Sequence, residues 1–331
     1  MLDGCIIAGS YGSSAIRPAS ISAVISRSLS STWAPYPRGL RRPGSGRWTR
    51  RGVRTVVADN GVVVLDALIP GHFQRYVALG DSFTEGVGDP DPSRPNGVRG
   101  WADRVAEVLA GVEPGFGYAN LAIRGRKVRA IIDEQLEPAL ALKPDLVTLY
   151  AGGNDILRPK VDIDGLMVAY DDAVGRLVGS GATVLLFTAF GARSSAFWKP
   201  MRGRFAYYNE LVREIADSHG ATIVDYWRMA DYNDWGYWDV DRLHMSSAGH
   251  TLMATRVLDR LGIDHDIPWP APLERPVLAG KERRAANRQW AAEHLGPWVH
   301  RRVTGRSSGD GLGPKYPTLV SPREWSAGGV R

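Results

Sequence analysis

The strand-like run "RYVALG" (75–80) breaks off at Asp81-Ser82-Phe83, with Gly86 and Gly88 just behind. Two readings of that ending compete. Gly-Asp-Ser is ordinary turn punctuation closing a buried strand, or Ser82 is a nucleophile displayed where a strand gives way to a helix. A serine hydroxyl is a weak nucleophile until a base takes its proton. The distant stretch "DRLHMSSAGH" (241–250) offers one in His244, whose imidazole titrates near neutrality and can hand the proton on to a leaving group. Asp241, three residues earlier on the same loop, can reach the other ring nitrogen. That contact would fix the tautomer and stabilise the imidazolium.

These residues need elements to bring them together. Apolar runs suited to buried parallel strands occur at 75–80, 117–123, 145–152, 182–190 and 221–227. Helical patterns separate them at Trp101–Ala110, Val128–Leu142, Leu166–Gly179 and Arg204–His219, and a last one, Ser247–Leu261, follows. Strand alternating with helix predicts a five-stranded parallel sheet covered on both faces. The expected fold is a flavodoxin-like three-layer α/β/α sandwich, in which ligands bind at the carboxyl ends of the strands. Polar clusters fall at those ends: "NLAIRG" (120–125) after the second run and "GGND" (152–155) after the third. One cleft could collect them all.

Four blocks in order, Gly80-Asp81-Ser82-Phe83, Asn120 to Gly125, Gly152-Gly153-Asn154-Asp155 and Asp241-Arg242-Leu243-His244, resemble the SGNH hydrolases, also called the GDSL esterase/lipase family, in the bacterial single-domain form. The resemblance spans about residues 74–262, and Phe83 stands where the family name has leucine. It implies a serine esterase with a Ser82, Asp241, His244 triad. It also implies an oxyanion hole made by the backbone N–H groups of Ser82 and Gly125 and the side-chain amide of Asn154. A small-molecule ester is the expected substrate, with no metal and no organic cofactor. Thioesters, lysophospholipids and acetylated sugars all stay open as substrates.

Other polar residues read as support. Ser246 or Ser247 is placed to cap the last helix, His250 reads as structural, and Asp81, Asp155 and Asn120 are expected to brace loops. "DIDG" (162–165) lacks the remaining ligands of a calcium loop. Gly86-Val87-Gly88 lacks the third glycine of a dinucleotide fingerprint. Loops at 87–101, 193–203 and 232–240 are the ones to set substrate choice, and they are short for a lipase lid. Trp198, Trp235, Tyr237 and Trp238 would either wall an acyl or aromatic pocket or simply pack.

The 331 residues carry a net charge of +6, spread unevenly. Residues 1–74 hold 9 arginines and 3 acids, and residues 271–331 hold 11 basic and 5 acidic side chains, so the centre is mildly acidic. Basic tails on an acidic body are weak support for nucleic acid, and no nucleic-acid partner is expected. The rival readings are a binding protein on the same fold and a nucleic-acid-associated protein acting through its flanks. A single cysteine, Cys5, excludes an intramolecular disulfide and a cysteine metal cluster. No run approaches a membrane span, and the oligomeric state is left open. Residues 1–70, rich in Ser, Gly, Pro and Arg, are expected to be disordered. Their start has Asp3 and only short apolar pieces, so no export signal is read and a cytoplasmic location is expected. The acid-poor leader is also compatible with a transit peptide or with sequence upstream of the true start. The hydrolase domain is expected at 71–268. Residues 269–331 read as a Pro-rich linker, an amphipathic helix near Lys281–His294 and a flexible tail.

Overall fold

The computed structural model describes residues 53–57, 63–67, 72–158, 160–191 and 199–326. Within the leader expected to be disordered, β1 (Val53–Val57) and β2 (Val63–Ala67) pair as antiparallel strands. Their valine-rich sequences favour extended backbone. The rest of residues 1–70 lies outside the described residues.

The central sheet has six strands: β3 (Arg75–Gly80), β4 (Gly117–Asn120), β5 (Leu146–Tyr150), β6 (Thr183–Phe187), β7 (Thr222–Val224) and β8 (Tyr316–Val320). Their spatial order is β7-β6-β5-β3-β4-β8. The pairs β3–β4, β3–β5, β5–β6 and β6–β7 are parallel. Alternate residues enter opposite layers, as the pleat requires. Tyr76 and Ala78 join Trp101, Leu252 and Val257 on one side. Val77 and Leu79 join Val128, Val174 and Val212 on the other. The three-layer α/β/α sandwich expected from the alternating pattern is therefore present.

The sixth strand departs from the expected five-stranded, all-parallel sheet. β8 pairs antiparallel with β4, and it comes from the stretch expected to be a flexible tail. Its short sequence, YPTLV, contains a proline and shows no helix-strand rhythm. A proline is tolerated on an edge strand, where one side needs no donor. By pairing with β4 it covers an edge that would otherwise be open.

The helices are α1 (Ser82–Glu85), α2 (Gly100–Val112), α3 (Val128–Ile131), α4 (Glu137–Ala141), α5 (Gly153–Ile156), α6 (Ile163–Gly179), α7 (Arg202–His219), α8 (Ser247–Leu261), α9 (Gly280–Trp290), α10 (Gly296–Val303) and α11 (Arg323–Ser326). A π-helical turn, Ile132–Leu136, joins α3 to α4, and another, Ala291–Leu295, joins α9 to α10. The expected C-terminal helix is thus longer, reaching Val303. Among the described residues no helix is long and apolar enough to cross a membrane.

Candidate active site

The strand β3 is clamped at its carboxyl end before it delivers the serine. Gln135, buried in the π turn, accepts from the Gly80 N–H at 2.8 Å and donates to the Gly80 carbonyl at 2.9 Å. Gly80 itself has φ +151°, and a Cβ there would stand 2.6 Å from the Tyr150 carbonyl oxygen, so the turn needs glycine. Asp81 then caps α1, accepting from the Phe83 N–H at 3.1 Å. Ser82 is the first residue of that helix.

Asp241 and His244 sit on the loop before α8, which Ser246 caps by accepting from the Gly249 N–H at 3.3 Å. One oxygen of Asp241 accepts from the Leu243 and His244 backbone N–H groups, both at 2.9 Å. The other accepts from His244 Nδ1 at 2.5 Å. His244 Nε2 in turn lies 3.0 Å from Ser82 Oγ. With Nδ1 protonated toward the carboxylate, Nε2 is left to accept from the serine hydroxyl. Serine, imidazole and carboxylate form one hydrogen-bonded chain across the carboxyl edge of the sheet.

The charges fit that chain. Burial opposes a proton on His244, but the hydrogen bond and charge of Asp241 outweigh it, raising the imidazole above its ordinary 6.5. Burial likewise works against the Asp241 anion, and the bonds from His244 hold it well below the usual carboxylate range. Asp81 is different. Burial pushes it up to about 7 although Phe83 and Asn154 donate to it.

Gly125 and Asn154 line the same cleft as Ser82 and His244. Among the described residues neither the Ser82 nor the Gly125 backbone N–H has a protein acceptor. The Asn154 amide, expected to donate to the oxyanion, is hydrogen-bonded within the protein. Its Nδ2 donates to Asp81 at 3.0 Å and to the Arg126 carbonyl at 3.1 Å. Both amide hydrogens are committed, so service to an oxyanion would require releasing one of them. Asp155 and Asn120 brace neighbouring loops: Asp155 accepts from the Val128 N–H at 3.0 Å, and Asn120 donates to the Thr84 carbonyl at 3.1 Å.

The cleft is about 140 Å³. Trp238 lines it, whereas Trp235, expected beside it, does not. Trp235 begins a 3₁₀ turn and packs against the core, its ring 6.3 Å from that of Trp238. Tyr237 is buried and donates to the Pro270 carbonyl at 3.0 Å. Trp198 lies outside the described residues. Aromatic lining that the sequence reading passed over comes from Tyr150 at the end of β5, Phe190 after β6 and Tyr226 after β7. Their place at strand ends was the available signal. For Trp298, Arg301, Arg306, Ser307 and Ser308, which also line the cleft, the sequence held none, because nothing local says where α10 docks. Among the described residues no cluster of His, Cys, Asp or Glu is built to hold a metal ion.

Residues 78–252 match the GDSL-like Lipase/Acylhydrolase family. An acetylxylan esterase from Geobacillus stearothermophilus is 26% identical over 220 residues, which is 59% of this chain and 96% of that protein. The crystal structure of a catalytic mutant of an acetylxylan esterase from the same organism aligns with a TM-score of 0.50 at 25% identity, covering 58% of this chain and 95% of the other. An alpha/beta hydrolase enzyme from the metagenome of Lake Arreo, Spain, aligns with a TM-score of 0.48 at 24% identity, covering 57% and 95%.

Proposed function

The chain belongs to the GDSL-like lipase/acylhydrolase family and is a carboxylic ester hydrolase; we propose that it works through an acyl-enzyme on Ser82. The observation that carries this reading is the continuous bond from Asp241 through His244 to Ser82.

In the first half-reaction Ser82 Oγ attacks the ester carbonyl carbon while its proton passes to His244 Nε2. Asp241 keeps Nδ1–H directed toward itself and balances the imidazolium. The carbonyl oxygen, now anionic, lies within reach of the Ser82 and Gly125 backbone N–H groups, which donate without the cost of abandoning another partner. Collapse breaks the bond to the alcohol oxygen, and the proton on Nε2 leaves with it. In the second half-reaction His244 takes a proton from water as the water attacks the acyl carbonyl, then returns it to Ser82 Oγ. The net change is ester plus water to acid plus alcohol.

A short acyl group, acetyl first, is the proposed donor, supported by the acetylxylan esterase relative. Purified full-length protein should hydrolyse p-nitrophenyl acetate, and Ser82→Ala should abolish nearly all of it. A Ser82→Ala variant with unimpaired turnover would remove the reading.

A further inference from the structure

The cleft over Ser82 differs in chemistry from floor to rim. Tyr150, Tyr226 and Trp238 are buried aromatics lining the interior. At the rim stand three arginines: Arg158, just beyond α5, and Arg301 and Arg306 from the C-terminal segment. Arg158 and Arg306 are exposed, and Arg301 is half-buried. Among the described residues none of these three guanidinium groups is within ion-pair distance of a carboxylate. Asp81 is the sole carboxylate among the residues lining this cleft, and it is buried and engaged by Phe83 and Asn154. The opening therefore gathers three guanidinium groups that no carboxylate among the described residues holds in an ion pair, the acids beside them being Asp155, whose charge acts on Arg158, and Asp310, which accepts from the Ser307 N–H.

The rim is anchored, although Arg301 and Arg306 lie beyond the residues that match the family. Arg242, next to Asp241, stacks over Trp290 of α9 at 4.7 Å and donates to Asn287 at 2.9 Å. Beyond α10, Ser307 Oγ donates to the Arg124 carbonyl at 3.3 Å. It sits so close over Gly125 (φ +78°) that a Cβ there would meet it at 2.2 Å. The C-terminal segment thus forms one wall of the site and holds its arginines over it.

We propose that the ester this site accepts carries an anionic group (carboxylate, phosphate or sulfate) remote from the scissile bond, and that Arg158, Arg301 and Arg306 bind it. The proposal rests on the acyl-enzyme reading at Ser82 and specifies its substrate class. Planar guanidinium groups match these oxyanions in geometry as well as charge. A charged rim around an aromatic interior also draws anions toward the serine.

The test compares matched substrates. 4-Acetoxybenzoate against 4-acetoxybenzamide places the charge on the alcohol side. Mono-(4-nitrophenyl) adipate against 4-nitrophenyl hexanoate places it on the acyl side. The expected result is that kcat/KM favours the anion by roughly tenfold or more in at least one pair at low salt, as charge-assisted contacts of this kind allow. The arm that shows the preference assigns the side. The preference should shrink as salt rises and approach parity in the triple variant Arg158→Gln, Arg301→Gln, Arg306→Gln, kcat/KM falling more for the anion than for its neutral partner. Neutral esters hydrolysed as fast as the anions in both pairs, or a triple variant that slows both members equally, would overturn the proposal while leaving the esterase standing. Failure of the wild type on all four esters would remove the esterase reading and the proposal with it.

Discussion

The Lys315 ammonium lies 2.8 Å from the Asp103 carboxylate, with neither side chain exposed to solvent. Its two remaining hydrogens go to the carbonyls of Glu85 at 3.0 Å and Arg99 at 2.6 Å. Three donors meet three acceptors. Glu85 closes the helix that begins with Ser82, so a residue just before the edge strand β8 holds the segment behind the nucleophile. Removing one partner of such a pair strands the other as an uncompensated buried charge. Lys315→Ala should cost about 3–5 kcal/mol in denaturant unfolding, and Lys315→Met combined with Asp103→Asn should recover part of it. A single variant indistinguishable from wild type would contradict this.

The imidazole must be neutral to accept the serine proton. Since Asp241 and its hydrogen bond raise His244 above 6.5 against the effect of burial, kcat/KM should fall as pH drops through that raised value. The acid limb therefore belongs above 6.5. Asp241→Asn removes both the charge and the tautomer control, so its limb should move down and kcat should fall about 10⁴-fold. A pH profile of both proteins decides it, and an unmoved limb would count against the assigned pair.

Asn154 reaches the oxyanion only by giving up Asp81 or the Arg126 carbonyl. If it does so in the transition state, Asn154→Ala should lower kcat by roughly 10²–10³-fold with KM little changed. A loss under about threefold would leave the amide as a brace and the two backbone N–H groups as the working donors.

His250 is buried, accepting from the Trp101 N–H at Nδ1 (3.2 Å) and lying 3.1 Å from the Val87 carbonyl at Nε2. Burial lowers it to about 4. A proton that the unfolded chain takes below 6.5 is thus refused by the folded one. Its contribution is full above that value and is lost as pH falls toward 4. The stability gap between wild type and His250→Gln should narrow by on the order of 3 kcal/mol across that window. Comparing the two proteins cancels Asp81, whose raised value acts in the opposite sense. A gap that stays constant with pH would refute the assignment.

Much of the site was legible because its parts are local. The strand ending at Gly80, the cap at Asp81 and the Asp241-to-His244 spacing each depend on a few neighbouring residues whose geometry their types dictate. The alternating rhythm that gave the parallel strands is local in the same way. Strand ends were placed less well. Leu121 and Ile123, expected in the second strand, lie just beyond the end of β4 at Asn120, although their N–H groups still donate to the Ala78 and Gly80 carbonyls of β3 at 2.9 and 3.3 Å. Periodicity cannot distinguish a buried loop from a buried strand. Trp235 and Trp238 carry the same side chain three residues apart, and only packing separates the one that lines the cleft from the one that does not.

The order of residues along the chain was enough to specify the serine, the imidazole, the carboxylate and the sheet edge on which they gather. What the chain did beyond residue 270 was settled by docking. The amphipathic helix, the arginines after it and the buried Lys315 have no local signature of destination. Their positions follow from an open edge at β4, a buried carboxylate at Asp103 and a glycine at 125 without a side chain in the way. Contacts between segments some two hundred residues apart are decided by which surfaces remain unsatisfied once the rest has folded, and that exists only in three dimensions.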